Sequence, residues 1–553
     1  MPEAAFVLSA DHDPSLPELV ETLRYELELQ AIPSTVHLGH FPEARPDRVY
    51  VLLDPWAYVA GAGRDALPGD EVLRRTVFLA LEAAPRAADA EHRAMLDRAG
   101  AVFVLDQRAH LALERLEIPS RMLRPGYSAS QDRFDADRPR PVDIAFVGAH
   151  TDRRGRYLAR AAPVLARHRC VVHLADRDSG RVAGATFLGD ERWALLSQTK
   201  VVINLHCGEQ TLLEWRRTLD AIHAGAVVVT EHSHGIAPLT PGEHLLVSSP
   251  DALPFVAESL LRDPPRLARI REAAYERLRN WIPYALPVSV LRAALVELVG
   301  EPISPGASLG SPPAARPVAD RQAATTTVER EAAWRPADHE VVAQTPSWEG
   351  SSGPAVTIVT AAAGEPSDLV ATLRSVTASR FADFELVIAG SDPLALEHAR
   401  SWMDAHPLVP ARLVRAPGPD LAGIRDAALA RARGGLCLIL DAGQAIYPRA
   451  LEALTAGLRS APDAAFAYSI QEVDGRSLAS YRRWETWLAH RSDDLRAPAL
   501  VRADRLRALG GFGTSQNGHR GLDHHLWSRM ADRGWRGVLV PEPLARRSTA
   551  AQS

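Results

Sequence analysis

Asp441 ends the apolar run Leu438-Ile-Leu-Asp441-Ala-Gly-Gln, the position at which an open α/β sheet presents ligand-binding groups. A carboxylate there can hold a divalent metal against a diphosphate, and it equally suits a turn after a strand. Upstream, Ile144-Ala-Phe-Val-Gly148-Ala-His-Thr-Asp-Arg153-Arg154-Gly155 reads as a strand, a glycine turn and a basic helix start. Backbone N–H groups at such a helix N-terminus can receive a diphosphate, and the arginines add charge. A third candidate is Lys200-Val-Val-Ile-Asn204 followed by Arg216-Arg217-Thr-Leu-Asp220. Arg217 and Asp220, three apart, share a helix face, either as an ion pair or as ligand groups, and Gly225 turns the chain into a strand ending at Thr230. His232 and His234 lie in a loop without an evident third ligand and read as solvated rather than metal-binding.

Positioning these groups requires sheets. Eight short apolar runs, beginning at Phe6, Val49, Val77, Val102, Ile144, Val171, Val201 and Val227, alternate with amphipathic helical stretches. Strands buried on both faces read this way, and the intervening helices imply parallel, doubly wound sheets. The series restarts near the Pro-rich joint Arg138-Pro-Arg-Pro-Val, so two α/β lobes are expected, 1–138 and 139–301. Residues 302–353, rich in Pro, Ser, Ala, Thr and Gly, read as a linker that Trp334 or Trp348 would pin by docking. A third α/β region, 354–553, opens with Val356-Thr-Ile-Val-Thr, continues through Phe384-Glu-Leu-Val-Ile, and runs from a helix at Ala422 to Ala432 into the strand before Asp441.

Composition narrows the function classes. The 553 residues suggest three or four domains at about 100–200 residues each. With 63 basic against 68 acidic residues the net charge is −5, which argues against a general nucleic-acid or anionic-membrane binder. Cys170, Cys207 and Cys437 are far apart beside apolar runs and read as buried free thiols, with no disulfide framework. No stretch approaches the roughly 20 apolar residues of a membrane span, and the first residues lack a secretory pattern, so a cytoplasmic protein is expected.

Two resemblances follow from these motifs. The third region resembles the GT-A glycosyltransferases of family 2 over 354–547: the Val356 strand, the helix Leu369-Val-Ala-Thr-Leu-Arg-Ser-Val, the Phe384 strand, Leu421-Ala-Gly-Ile-Arg425-Asp, Leu509-Gly-Gly-Phe512, Leu522-Asp523-His-His-Leu-Trp527 and Val540-Pro-Glu-Pro-Leu544 occur in the family's order. The resemblance implies that Asp523 is the base that deprotonates the acceptor hydroxyl and that Asp441 binds donor and metal, Mg²⁺ or Mn²⁺. Residues 140–300 resemble the C-terminal lobe of GT-B glycosyltransferases, nearest the spore-maturation CgeB-like branch, through Arg217-Thr-Leu-Asp220-Ala-Ile-His-Ala-Gly225, the Val227 strand and Pro241-Gly-Glu-His-Leu-Leu-Val. That resemblance implies that Asp220 binds the donor's ribose; together with the helix start at Gly148, Arg153 and Arg154 and with Arg217 and Thr230, it makes up the expected donor site.

The expectation is therefore a two-lobed GT-B fold, a linker and a GT-A-like domain, acting as a tandem glycosyltransferase. Its donor would be a nucleotide diphosphate sugar and its acceptor a hydroxyl on a carbohydrate, protein or small molecule, with no nucleic-acid partner. Departures from the family-2 pattern qualify the second half. Ala389-Gly390-Ser391-Asp392 replaces the segment that grips the nucleoside, Asp441-Ala442-Gly443 replaces Asp-x-Asp, and Leu522 replaces a Glu. Two alternatives stand beside the tandem enzyme: catalysis by the GT-B half alone with the other half binding acceptor, or a non-catalytic scaffold for nucleotide sugars or glycans. A nucleotidyltransferase would need a second carboxylate near Asp441, and none is evident.

Overall fold

The computed structural model describes residues 2–12, 16–81, 90–175, 189–208, 211–304, 307–310, 339–350, 353–489, 495, 498–513 and 522–548. All eight strands expected before residue 301 form, and three more accompany them. The first sheet contains β1 (Glu3–Leu8), β2 (Ser34–Leu38), β3 (Arg48–Leu53), β4 (Thr76–Ala80), β5 (Ala101–Val104) and β6 (Arg121–Met122), in the order β2-β1-β3-β4-β5-β6. Every pairing in it is parallel. The second contains β7 (Val142–Ala149), β8 (Cys170–Ala175), β9 (Thr199–Asn204), β10 (Val227–Glu231) and β11 (Leu246–Ser248), in the order β11-β10-β9-β7-β8. The pairs β7/β8, β9/β10 and β10/β11 are parallel. These are two Rossmann-like parallel sheets. β2 escapes the apolar-run pattern because it is a half-exposed edge strand with the sequence Ser-Thr-Val-His-Leu.

The chain packs as two compact units: Met1–Pro141 with Phe187–Ser249 and Ser259–Ala324, and Val142–Thr186 with Pro250–Glu258 and Thr325–Ser553. In the first unit the six-stranded sheet is covered on both faces. One face carries Phe6, Val49, Val51 and Val77 against the helix Leu16–Leu29 and against Val288, Leu291 and Leu295 of the helix Ala285–Leu298. The last helix of the expected 139–301 lobe thus belongs to the core of the first sheet. Buried Arg75 secures this return, donating to the carbonyls of Glu301 at 2.6 Å, Val299 at 2.7 Å and Pro46 at 2.9 Å. The turn expected at Gly225 is present: its φ is +75°, and a Cβ there would lie 2.4 Å from Nη2 of Arg140. Arg140 uses that space to donate to Ser197 O at 2.8 Å and Ala224 O at 3.0 Å.

The second unit holds the ten-stranded sheet: β12 (Val341–Gln344), β13 (Val356–Ala361), β14 (Phe384–Gly390), β15 (Ala411–Arg415), β16 (Leu436–Ile439), β17 (Gln444–Ile446), β18 (Ala464–Val473), β19 (Ser477–Ala479), β20 (Ala499–Arg502) and β21 (Arg536–Arg547). Its order is β12-β15-β14-β13-β16-β20-β18-β21-β17, with β19 paired to β18. β13, β14, β15 and β16 are mutually parallel, whereas β20 is antiparallel to both β16 and β18, so the sheet is mixed.

The expected linker is narrower than 302–353. Residues 305–306, 311–338 and 351–352, with Trp334, lie outside the described residues, but β12 pairs antiparallel with β15, and the short helix Pro346–Gly350 buries Trp348. The indole lies between two guanidiniums, Arg433 at 4.0 Å and Arg412 at 4.3 Å from the ring centroid. Arg433 also satisfies the fully buried Glu385 of β14, donating from Nε at 2.6 Å, while Thr357 of β13 donates at 2.7 Å. Composition misled here because the apolar content of this segment is confined to the short run Val341-Val-Ala and one tryptophan. Among the cysteines, Cys170 and Cys437 are buried as expected; Cys207 is exposed, because it follows the end of β9 where the chain leaves the sheet.

Trp348→Ala removes a buried aromatic and two cation–π contacts, so a loss of about 3–5 kcal/mol is expected. A lowered urea midpoint for the full chain, followed by circular dichroism, is the readout; an unchanged midpoint would show that Trp348 does not pin this segment.

Candidate functional site

In the first unit, polar side chains gather at the carboxyl ends of β9 and β10, where parallel sheets present ligand-binding groups. Asn204 and Thr230 are register partners, and Asn204 Nδ2 donates to Thr230 Oγ1 at 3.1 Å. Arg217, in the first turn of the helix Trp215–His223, donates to Asn204 Oδ1 at 3.3 Å and pairs with Glu214 at the helix cap. Glu214 also accepts the Cys207 N–H at 3.1 Å, and buried Glu231 accepts the His206 N–H at 2.6 Å. Arg217 and Thr230 therefore meet through Asn204.

Asp220 does not join them. It is 3% exposed and pairs with Arg192 Nη1 at 2.8 Å, so the anticipated Arg217–Asp220 helix pair is replaced by two separate ones. Arg192 and Arg216 both reach Glu18, at 2.5 and 3.5 Å. Of the two loop histidines, His232 and His234 are both exposed. Glu214 and Glu231 were not singled out by the sequence; an acid directly before a helix and one closing a Val-rich strand were the available signals.

In the second unit, Gly148 lies near the end of β7, and Thr151 caps the helix Asp152–Leu165 by accepting the Arg154 N–H at 3.2 Å. Arg154 itself is 1% exposed. Its Nη1 donates back to Ala149 O at 3.0 Å and its guanidinium lies 5.9 Å from the Phe146 ring, so it braces the strand-to-helix turn from beneath. Arg153 is half-buried.

The two acids expected in the C-terminal part do meet, through a residue quoted only as part of a motif. Arg425, on the helix Leu421–Leu429, is 1% exposed. Its Nε donates to Asp441 Oδ1 at 3.2 Å, its Nη2 bonds Asp441 Oδ2, and its Nη1 donates to Asp523 Oδ1 at 2.8 Å. Burial works to strip the proton from this guanidinium, but Asp441 and then Asp523 overcome it and hold Arg425 above the usual arginine range. Asp441 also starts a turn: Gln444 N–H donates to its carbonyl at 3.0 Å, and Gly443 has φ +85°. Asp392, in the segment that departs from the family-2 pattern, caps the helix Pro393–Ala405 by accepting the Ala395 N–H at 2.8 Å.

The implied divalent cation does not fit this donor set. Both oxygens of Asp441 are engaged by Arg425, which already supplies positive charge there, and among the described residues no three His, Cys, Asp or Glu side chains gather to hold an ion.

Comparison with known proteins adds one family. Residues 153–284 match the family described as glycosyl transferase-like, so that segment, from the Asp152 helix to the end of the strand-end cluster and beyond, is glycosyltransferase-like. No curated protein matches. Among solved structures, TarS residues 1–349 of S. aureus in complex with UDP-GlcNAc is 11% identical, with 35% of this chain and 58% of that chain covered and a TM-score of 0.30. The mannosyltransferase PcManGT of Pyrobaculum calidifontis, in complex with GDP-Man and Mn²⁺, is 20% identical, with 38% and 59% covered and a TM-score of 0.30. Sucrose-phosphate synthase of Thermosynechococcus elongatus is 14% identical, with 54% and 99% covered and a TM-score of 0.37. The TarS and PcManGT matches each span less than two thirds of those chains.

Asp426, beside Arg425, accepts the Phe512 N–H at 2.8 Å, and burial raises its pKa from 3.8 to about 6. Between those values the folded chain keeps a proton that the unfolded chain has released, so stability falls as pH rises through that window. Asp426→Asn is expected to remove this slope and to stabilise the protein at neutral pH by on the order of 1–2 kcal/mol, with little effect at pH 4. Urea unfolding across pH 4–8 measures it, and an unchanged slope would contradict the assignment.

Proposed function

We propose that the chain is a nucleotide-sugar-dependent glycosyltransferase whose N-terminal 301 residues form a GT-B-type enzyme, nearest the CgeB-like branch, joined to a GT-A-like part over 354–553. The observation that carries this reading is the coincidence of the glycosyl transferase-like match at 153–284 with the polar cluster at the ends of β9 and β10. In this reading Arg217, Asn204 and Thr230 bind the donor, and Asp220 supports the helix that carries Arg217 from the interior. The tasks of the three donor residues are to position the donor and to stabilise the departing diphosphate while an acceptor hydroxyl attacks the sugar.

The C-terminal part has two readings. As a second catalytic centre, it would use Asp523 as the base, oriented by Arg425 through Oδ1. As an acceptor-binding module, it would need no donor site. The engagement of both Asp441 oxygens by Arg425 favours the module.

The test is hydrolysis and transfer by the full chain with UDP-, GDP-, dTDP- and CMP-sugars, comparing the wild type with Arg217→Ala and Asp523→Asn. Loss of a charged hydrogen bond to the donor predicts that Arg217→Ala lowers kcat/KM by about 10–100-fold. If the C-terminal part is a module, Asp523→Asn leaves the rate of donor hydrolysis unchanged; if Asp523 is a base, transfer falls by about 10²–10⁴-fold. Turnover of no nucleotide sugar, with the protein folded, would point instead to a scaffold.

A further inference from the structure

Within the first unit, Arg124 stands just past the end of β6, where the chain leaves the carboxyl edge of the first sheet. The backbone around it is fixed on several sides. Leu123 N–H donates to Val104 O at 2.8 Å, Trp215 Nε1 donates to Pro125 O at 2.7 Å, and Tyr127 N–H donates to Ile282 O at 2.7 Å. Gly126 permits the last approach, since a Cβ there would lie 2.3 Å from that same carbonyl oxygen. From this anchored position the half-buried guanidinium lies 3.7 Å from the centroid of the Trp215 ring, and its Nη2 donates to Gly235 O at 2.8 Å. Gly235 belongs to the loop after β10, and Trp215 is the first residue of the helix that carries Arg217. Arg124 therefore brings a cation from the carboxyl end of the first sheet to the elements that frame the cluster at the ends of β9 and β10, where open α/β sheets take ligands.

That cation is short of partners. Other arginines withdrawn from water in this unit are answered in one of two ways. Arg192 pairs with Asp220 and Glu18, whereas Arg75 and Arg140 fill their forks with main-chain carbonyls, those of Glu301, Val299 and Pro46 for one and of Ser197, Thr199 and Ala224 for the other. Arg124 has neither arrangement: among the described residues it meets no carboxylate, and Gly235 O is the single acceptor its fork finds. Burial lowers its pKa from the usual arginine value, and no acid acts to raise it again. Contact with the indole occupies a face of the guanidinium and leaves the in-plane N–H groups free of that contact. A half-buried guanidinium in this condition is satisfied by an oxyanion, and phosphate offers two oxygens that match the fork.

We propose that Arg124 is a further donor-binding residue, gripping a phosphate group of the nucleotide donor from the first sheet while Arg217, Asn204 and Thr230 hold the donor from the second. The inference rests on the donor reading of that cluster and adds the chemical group that Arg124 recognises. Its charge then also stabilises the diphosphate as the sugar departs.

Calorimetric titration of the full chain with inorganic pyrophosphate at constant ionic strength tests this on the wild type and Arg124→Gln, with a thermal melt of each to check folding. Gln keeps an N–H for Gly235 O and removes the charge. Pyrophosphate affinity is expected to fall by about 10–100-fold in the variant, with the KM for any nucleotide sugar turned over rising alongside. A second measurement needs no variant: pyrophosphate is expected to slow the modification of Arg124 by phenylglyoxal in the wild type, read by peptide mass spectrometry. Equal affinity in a folded Arg124→Gln, no binding to the wild type, or modification of Arg124 at the same rate with and without pyrophosphate overturns the proposal and leaves Arg124 as a pin for the loop after β10. The two readings fail separately. Pyrophosphate binding that depends on Arg124, in a chain that turns over no nucleotide sugar, keeps the phosphate contact and removes the enzyme. Loss of turnover in Arg217→Ala, with Arg124→Gln unchanged in affinity and KM, keeps the donor cluster and removes the contact.

Discussion

The C-terminal part is organised around one buried cation. A guanidinium that is 1% exposed is costly to remove from water unless its charge and its donors are met, and Arg425 is met by Asp441 and Asp523. That requirement ties three separate pieces of chain together: the helix Leu421–Leu429, the turn after β16, and the first turn of the helix Leu522–Asp532. Removing either carboxylate would leave a buried charge short of a partner, and removing Arg425 would leave two acids side by side.

The same contact decides the chemistry open to this part. A resident divalent cation needs several oxygen ligands that are free to turn toward it, and both oxygens of Asp441 are already turned toward Arg425. Positive charge is supplied by the protein itself, at a point fixed by a helix. The N-terminal part arranges its charges differently. Its acids and its arginine at the strand ends are paired locally, Arg217 with Glu214 and Asn204, while deeper pairs such as Asp220 with Arg192 hold the framework.

The sheets were legible because buried parallel strands are continuous apolar runs, and all eight runs before residue 301 became strands. The edge strand β2 was not, since its alternating exposure leaves no such run. Docking of Trp348 and the return of the helix Ala285–Leu298 to the first sheet are long-range packing, invisible to local composition. At the candidate sites the sequence showed where strands end but not the directions of side chains. Arg154 and Arg153 are adjacent, yet Arg154 turns inward beneath the strand and is almost fully buried while Arg153 is half-buried; nothing in the types of residue distinguishes them. Arg425 carried a signal that periodicity does show, a charged residue in an alanine-rich buried helix, which asks for a buried partner.

Manganese binding tests the central claim most directly. With Mn²⁺ titrated into the full chain at neutral pH and followed by electron paramagnetic resonance, pairing of Asp441 with Arg425 predicts no stoichiometric uptake, and the same trace for Asp441→Asn as for the wild type. Stoichiometric Mn²⁺ binding that Asp441→Asn abolishes would contradict it, because Asp441 would then be a metal ligand rather than the partner of Arg425.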